Sequence, residues 1–303
     1  MKKTLTYHIH EVAPYINWIY FFHAWGFAPR FATICSIHDC LGCKENWIQT
    51  FSETERDKAR EAVTLFQEAK KLLNILDSKF HSYARFALLP ANSDGDDIII
   101  YDSEFNESMR LPLLRQQTAA HNDFCLCLSD FIKPIGNGTD KIGLFATTID
   151  GDIETFYNGD DPYKHLLAQT LADRLAEATA EKMHEDVRRT YWGYAPDEHL
   201  PINELHQEKY CGIRPAVGYP SLPDQSTNFE IDRLLGFKEI GIQLTENGAM
   251  SPHASVSGLI FAHPEARYFS VGKIGTDQLK DYANRKGTTI EKLSPFLSSN
   301  ILQ

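Results

Sequence analysis

The run Gly212-Ile213-Arg214-Pro215-Ala216-Val217-Gly218-Tyr219-Pro220 places one permanent cation and one amphipathic ring in a segment stiffened by two prolines. Proline fixes φ and removes a donor, while glycine admits backbone angles that other residues avoid, so the segment reads as a rigid, shaped loop and not as helix or strand. Its polar head is a guanidinium, which offers a planar fork to two oxygens. A second constellation is Cys35-x4-Cys40-x2-Cys43 with His38 inside it. Thiolates and imidazole at short spacing suit zinc. A second Cys-x2-Cys knuckle is missing, however, and the set Cys35, His38, Cys40 and Cys43 would be unusually local. The chain is therefore read without a metal, and this segment as a loop of free thiols. A third pattern is Asp173, Glu177 and Glu181, spaced four apart on a helix. Like charges so placed repel. They form either a solvated face partnered by Arg174 and Arg188, or an acidic stripe turned toward a cationic ligand.

Other chemistry is missing from the sequence. There is no Gly-x-Gly-x-x-Gly after a strand, no Walker loop, no His-Glu-x-x-His and no Gly-x-Ser-x-Gly. No nucleophile–base pair is suggested by spacing. A reaction that needs only in-line positioning and exclusion of water leaves no acid–base signature, because the cofactors carry the bond chemistry.

The elements that must hold these residues follow from periodicity. Ser52 and Glu55 form a capping-box pattern, after which Ala62, Phe66, Ala69, Leu73 and Leu76 recur at helical spacing. Strands are expected at Ala84–Leu89, Ile98–Tyr101, Phe124–Ile132 and Ile142–Thr147, with Gly95 as the turn before Ile98. Cys125 and Cys127 would share one face of the third. A long helix is expected from about Pro162 to Thr190, burying Leu171, Ala172, Leu175, Ala176 and Met183. Strands return at Ser255–Phe261 and Arg267–Ile274, joined at His263-Pro264. Two helices close the chain, one capped by Thr276 and ending at Gly287, the other over Thr289–Leu297. Grouped strands with helices between the groups predict an α+β fold with a largely antiparallel sheet. No Pro/Gly/Ser linker divides residues 1–303, which are read as one domain. The aromatic run Tyr15, Trp18, Tyr20, Phe21, Phe22, Trp25 and Phe27 is expected to be mostly core.

Composition narrows the function classes. With 43% hydrophobic and 23% charged residues, the chain has the make-up of a soluble globular protein. A net charge of -11 argues against a broad nucleic-acid footprint. Thr4–Glu11 is too polar for a signal-peptide core, and Tyr15–Phe27 is too short to cross a membrane. The chain is read as cytoplasmic, with its six cysteines reduced.

Several phrases then converge, in order: Asp96-Asp97-Ile98-Ile99-Ile100-Tyr101, Leu114-Arg115-Gln116-Gln117, Ala172-Asp173-Arg174-Leu175-Ala176-Glu177-Ala178, Tyr191-Trp192-Gly193-Tyr194-Ala195-Pro196, the Arg214 loop, Ala254-Ser255-Val256-Ser257-Gly258, and Tyr282-Ala283-x-Arg285-Lys286-Gly287. Together they resemble the C-terminal activation domain of cobalamin-dependent methionine synthase, from about Tyr15 to the end. The resemblance implies a C-shaped domain around a twisted antiparallel sheet. It also implies binding of S-adenosylmethionine and docking over a cobalamin-binding module whose cobalt has oxidised to cob(II). A flavodoxin-type donor would supply one electron, and S-adenosylmethionine the methyl group.

Residue by residue, the resemblance implies that Arg214 pairs with the carboxylate of the methionine moiety and that Ala216 lends backbone contacts. Tyr219 would lie where the ligand meets the corrin face, and Glu177 and Glu208 in the ligand's polar surroundings. Tyr268 and Phe269 match an aromatic pair that lines the site, Phe269 replacing a second tyrosine. Aromatic faces suit both adenine and a sulfonium. Asp173 would lie near the docked cobalamin module.

Two departures stand out. Tyr15-Ile16-Asn17-Trp18 occupies a place where the family has Tyr-Ile-Asp-Trp, so Asn17 keeps an acceptor and loses the charge. Binding is then weaker, or another carboxylate compensates. Gln225, near the docking surface, stands where histidine is frequent. Residues 35–50 look particular to this branch. No homocysteine, folate or cobalamin module accompanies the domain, so the expected role is reactivation in trans of a methionine synthase or another corrinoid protein. The alternative is a corrinoid-docking module that has lost S-adenosylmethionine and only gates reduction.

Overall fold

The computed structural model describes residues 1–119, 124–153, 155–157 and 161–302. Strand β1 (Lys2–His8) pairs antiparallel with the first half of the long β2 (His81–Asp94), from Lys2↔Ala87 to His8↔His81. The second half of β2 turns back through Gly95, at φ +61°, into β3 (Asp97–Tyr101), and β4 (Glu107–Pro112) continues the meander. The other edge of β2 pairs with β5 (Asp140–Ile149), in register from Ser82↔Ile149 to Ala91↔Asp140. A short ribbon of β6 (Gln243–Leu244) and β7 (Met250–Ser251) precedes β8 (Ser255–Ile260), which pairs with β5. The main sheet runs β4-β3-β2-β5-β8 with β1 beside β2, and its strand pairs are antiparallel.

Period-two alternation sorts the strands' side chains to two cores. Ala84, Phe86, Phe145 and Ile149 face a cluster built by the N-terminal helices and the two long ones, while Ala87, Ala91, Ile142, Leu144 and Ala146 face a second cluster. The first layer comprises α1 (Ile9–Val12), α2 (Trp18–Ala24), α3 (Leu41–Gln49), α4 (Arg56–Asp77) and α5 (Pro162–Asp186). Small residues let α5 lie close on the sheet: Ala172 and Ala176 are buried, and Thr147 Oγ1 donates to the Ala176 carbonyl at 3.0 Å. After a π-helical turn at Val187–Tyr191 and the short α6 (Ile202–Leu205), α7 (Thr227–Leu235) packs on the opposite face through Ile231 and Leu235. The closing helices α8 (Thr276–Arg285) and α9 (Ile290–Leu293) bury Leu279, Tyr282 and Leu293 in a third cluster.

The mixed, mostly antiparallel architecture expected from the sequence is present. Several local expectations differ. Phe124–Ile132 is no strand: it is irregular up to a 3-10 turn at Leu128–Phe131, where the Asp130 carboxylate accepts the Cys127 N–H at 2.8 Å. Local side-chain capping wins there over apolar alternation, and Cys127 is buried while Cys125 is only partly so. Arg267–Ile274 is likewise irregular, its carbonyls and amides tied to side chains and to the Arg214 loop. The expected Ser52–Glu55 capping box does not form: the Ser52 hydroxyl donates to the Glu55 carboxylate at 3.0 Å across a 3-10 turn, and the helix proper begins at Arg56. Gly275, not Thr276, caps α8. Strand β1 was not expected, because its alternation is masked by exposed polar positions.

Candidate functional site

The Arg214 loop is held as an added edge to the sheet. Ile213 and Phe261 exchange backbone hydrogen bonds at 3.0 and 2.9 Å; Leu259 N–H donates to the Pro215 carbonyl at 3.0 Å and Val217 N–H to the Ser257 carbonyl at 2.9 Å. Pro215, with no donor, thus still contributes its acceptor. The approach is so close that a Cβ on Gly258 would overlap the Pro215 carbonyl and come within 2.8 Å of Ala216 Cα. Glycine is required at 258 by contact rather than by φ.

Between this loop, α5 and the α2 start lies a cleft of about 620 Å³, well within the size range of small-molecule sites. Asn17, Glu177, Glu208, Arg214, Ala216, Tyr219, Tyr268 and Phe269 all line it. They come from four separate stretches of the sequence, at 17, 177, 208–219 and 268–269, and the fold brings these together. Asp173 and Gln225 do not line the cleft. Asp173 meets His253 Nδ1 at 3.3 Å on the neighbouring surface, and Gln225 is exposed beside Gly218.

Arg214 is the electrostatic centre. Its guanidinium is buried and donates to Glu181, and Phe145 lies 5.5 Å below it. Its backbone N–H donates to the Tyr268 hydroxyl at 3.0 Å. Burial alone would lower the Arg214 pKa, but the Glu181 carboxylate outweighs it and the group stays cationic. Tyr219 donates to Glu177 at 3.2 Å, and burial with that carboxylate pushes its phenol up to about 12. Burial, then repulsion from Glu181, raises the Glu208 carboxyl, with Arg214 pulling the other way. Glu208 also sits at φ +58°, an uncommon conformation for a residue with a Cβ. Phe269 is stapled to the loop through Ser221, whose hydroxyl donates to its carbonyl and accepts its N–H at 3.1 Å.

The sequence reading missed three contributors. Glu181 was grouped with the acidic stripe but not placed in the site; its i+4 spacing from Glu177 was the available signal. Tyr210 lines the cleft and reaches Tyr268 hydroxyl to hydroxyl at 3.4 Å. His184 is fully buried behind it, 5.0 Å ring to ring, and its pKa is driven far below the usual histidine range by burial, then by Arg188 and Arg214. Arg188 does not partner the acidic stripe: it is buried against Glu198, Nε to carboxylate 2.9 Å, over the Tyr210 ring. Arg174 does, bonding Glu177 at 3.0 Å. Of the early aromatic run, Phe21, Phe22 and Phe27 are core, while Tyr15 and Tyr20 line the cleft.

The donor set fits a zwitterionic, cationic ligand. Arg214 Nε and Glu181 Oε2 are buried with no hydrogen-bond partner among the described residues, and a buried polar atom without a partner costs stability until something meets it. Three carboxylates against the guanidiniums of Arg174 and Arg214 leave the wall acidic, with tyrosine and phenylalanine faces beside them.

A mostly antiparallel α+β domain with such a cleft has the form of a small-molecule-binding module. Residues 8–287 match the family described as vitamin B12 dependent methionine synthase, activation domain, and the chain belongs to that family. The match starts earlier than Tyr15, within the end of β1. Among solved structures, the chain is similar to the MetH reactivation domain bound to AdoHcy, with 37% identity and a TM-score of 0.87, covering 100% of this chain and 91% of that one. Among the described residues no helix is long and apolar enough to cross a membrane.

Proposed function

We propose that the chain binds S-adenosylmethionine in the Arg214 cleft and presents it to a cobalamin carried by a methionine synthase or other corrinoid protein, supporting reductive methylation of cob(II)alamin in trans. The observation that carries this reading is that the eight residues the resemblance implies for the ligand all line one cleft around a buried guanidinium.

In this reading Arg214 holds the ligand's carboxylate, sharing its fork with Glu181, and the Glu181 carboxylate would attract the ammonium. Tyr268 and Phe269 offer faces to adenine or sulfonium, an attraction of about 0.5–2 kcal/mol for a cation on a ring. Ala216 contributes backbone. When bound, S-adenosylmethionine supplies an electrophilic methyl group to reduced cobalt on the partner. The chain's own residues orient the ligand and exclude water; none moves a proton. Tyr219, half exposed at the cleft mouth and tethered to Glu177, would border the corrin. Asp173 and Gln225, outside the cleft, would meet the docked cobalamin module, and a flavodoxin-type protein would deliver the electron.

Asn17 supports compensation rather than loss of the ligand. Its side chain accepts the Ile19 N–H at 3.1 Å and caps α2, while Glu177, Glu181 and Glu208 line the same cleft. Calorimetry with S-adenosylmethionine and its demethylated product tests binding. A methyl-labelled reactivation assay on an oxidised cobalamin protein, with and without this chain, tests function. No heat and no competition would leave the reduction-gating reading in its place.

A further inference from the structure

The turn that enters α3 lies outside the cleft and is not used by the function proposed above. Cys40 caps that helix, its Sγ accepting the Cys43 backbone N–H at 3.2 Å. The ligating atoms of His38, Cys40 and Cys43 all lie within 4.8 Å of one another. Zinc held by thiolates at about 2.3 Å sets its ligand atoms roughly 3.8 Å apart on a tetrahedron, so only small side-chain adjustments close the trio on an ion. Cys35, grouped with these residues by spacing alone, is outside the group; it packs against the apolar core.

The turn is braced. Asp39 pairs with Lys44 on α3 and with Lys70 on α4, the latter at 2.8 Å. Trp47, buried, donates its indole N–H to Thr33 at 3.0 Å. The candidate ligands are therefore mounted on a fixed corner while His38 and Cys40 remain exposed. Two sulfurs and an imidazole nitrogen select thiophilic ions over magnesium or calcium. The N–H directed at Cys40 Sγ is the kind of outer contact that steadies a metal-bound thiolate.

We propose that His38, Cys40 and Cys43 form a binding site for a thiophilic divalent cation of the zinc class, with a fourth coordination position open to solvent or to an exogenous ligand. The same two sulfurs are close enough in sequence to form a disulfide; the imidazole within reach of both favours the cation.

The test uses the full chain, reduced, stripped with chelator, and titrated with cobalt(II) and then zinc(II). The expected result is a thiolate-to-cobalt charge-transfer band that saturates at one ion per chain and is displaced by zinc. The Cys40→Ser/Cys43→Ser double variant loses the band, His38→Ala weakens binding at least about tenfold, and Cys35→Ser changes neither. Circular dichroism establishes that each variant is folded, and His38→Ala alters only an exposed side chain. The proposal is overturned by a fully reduced wild type that shows no band. It is equally overturned by a band that survives the double serine variant, or by one that His38→Ala leaves unaltered.

Discussion

The Tyr268 hydroxyl accepts the backbone N–H of Arg214 at 3.0 Å, joining two segments 54 residues apart. This bond fixes the loop that carries the guanidinium against the segment that carries the aromatic pair. The distance between cation and rings is thus set by the fold rather than by a ligand, which lowers the ordering cost of binding.

Tyr268→Phe keeps the ring and removes that acceptor. A partly buried N–H left without a partner costs about 1–2 kcal/mol. Urea unfolding should show the midpoint fall with an unchanged slope, and S-adenosylmethionine affinity should drop several-fold. An unchanged midpoint would mean the hydroxyl is not bonded to Arg214 in solution.

Arg214→Lys preserves the charge facing Glu181 but loses the planar fork. Replacing one two-point, charge-assisted contact by a point charge should weaken S-adenosylmethionine by roughly tenfold or more, on the order of 1.5 kcal/mol. Calorimetry measures it. Near-ultraviolet circular dichroism should match wild type, because the buried carboxylate keeps a cationic partner. Equal affinity would remove Arg214 from the ligand's carboxylate.

The sequence made some of this plain and hid the rest for physical reasons. The two long helices were legible because their apolar periodicity is long, and β2, β3, β5 and β8 because short apolar runs end at turn residues. The irregular segments Phe124–Ile132 and Arg267–Ile274 were not, because their backbone bonds go to side chains and to the distant Arg214 loop, which no local pattern records. At the site, the proline-flanked loop announced itself. Glu181 was legible only as a member of the i+4 acidic stripe with Glu177, because spacing alone does not say whether such a stripe faces a buried guanidinium or solvent.

Gly258→Ala tests whether the loop must lie flush on β8. The added methyl meets the Pro215 carbonyl and the Ala216 backbone, neither of which is a flexible side chain. Overpacking of this kind costs about 1–3 kcal/mol. We expect a lower thermal midpoint and a loss of S-adenosylmethionine binding larger than the stability loss explains, because the loop moves as a unit. Retained affinity at wild-type stability would show that the contact is slack.

His184 gives a pH signature with a definite sign. Burial and the neighbouring Arg188 and Arg214 keep it neutral in the folded chain, well below its unfolded pKa of about 6.5. The unfolded state therefore binds the extra proton as pH falls below about 6.5, and stability declines with acid over that range. Chemical denaturation at pH 7.5 and 5.5 should show that decline. His184→Gln, which cannot take up the proton, should show less of it, whatever its stability at neutral pH. Identical slopes would place the proton-linked loss elsewhere.

Asn17→Asp separates capping from binding. Either residue caps a helix, and the two are near-equal in that role, so α2 should be retained and stability should change by less than about 0.5 kcal/mol. The added charge enters a cleft already holding Glu177, Glu181 and Glu208. If the ligand is net cationic, the extra carboxylate strengthens it by about 1 kcal/mol, or roughly fivefold. If three carboxylates already satisfy the ligand, affinity stays level while the Glu208 carboxyl is pushed further up by repulsion, visible as steeper pH dependence of binding. A fall in affinity at neutral pH, with the fold intact, would mean the ligand brings negative charge to this wall, and S-adenosylmethionine would no longer be the molecule the cleft is built to hold.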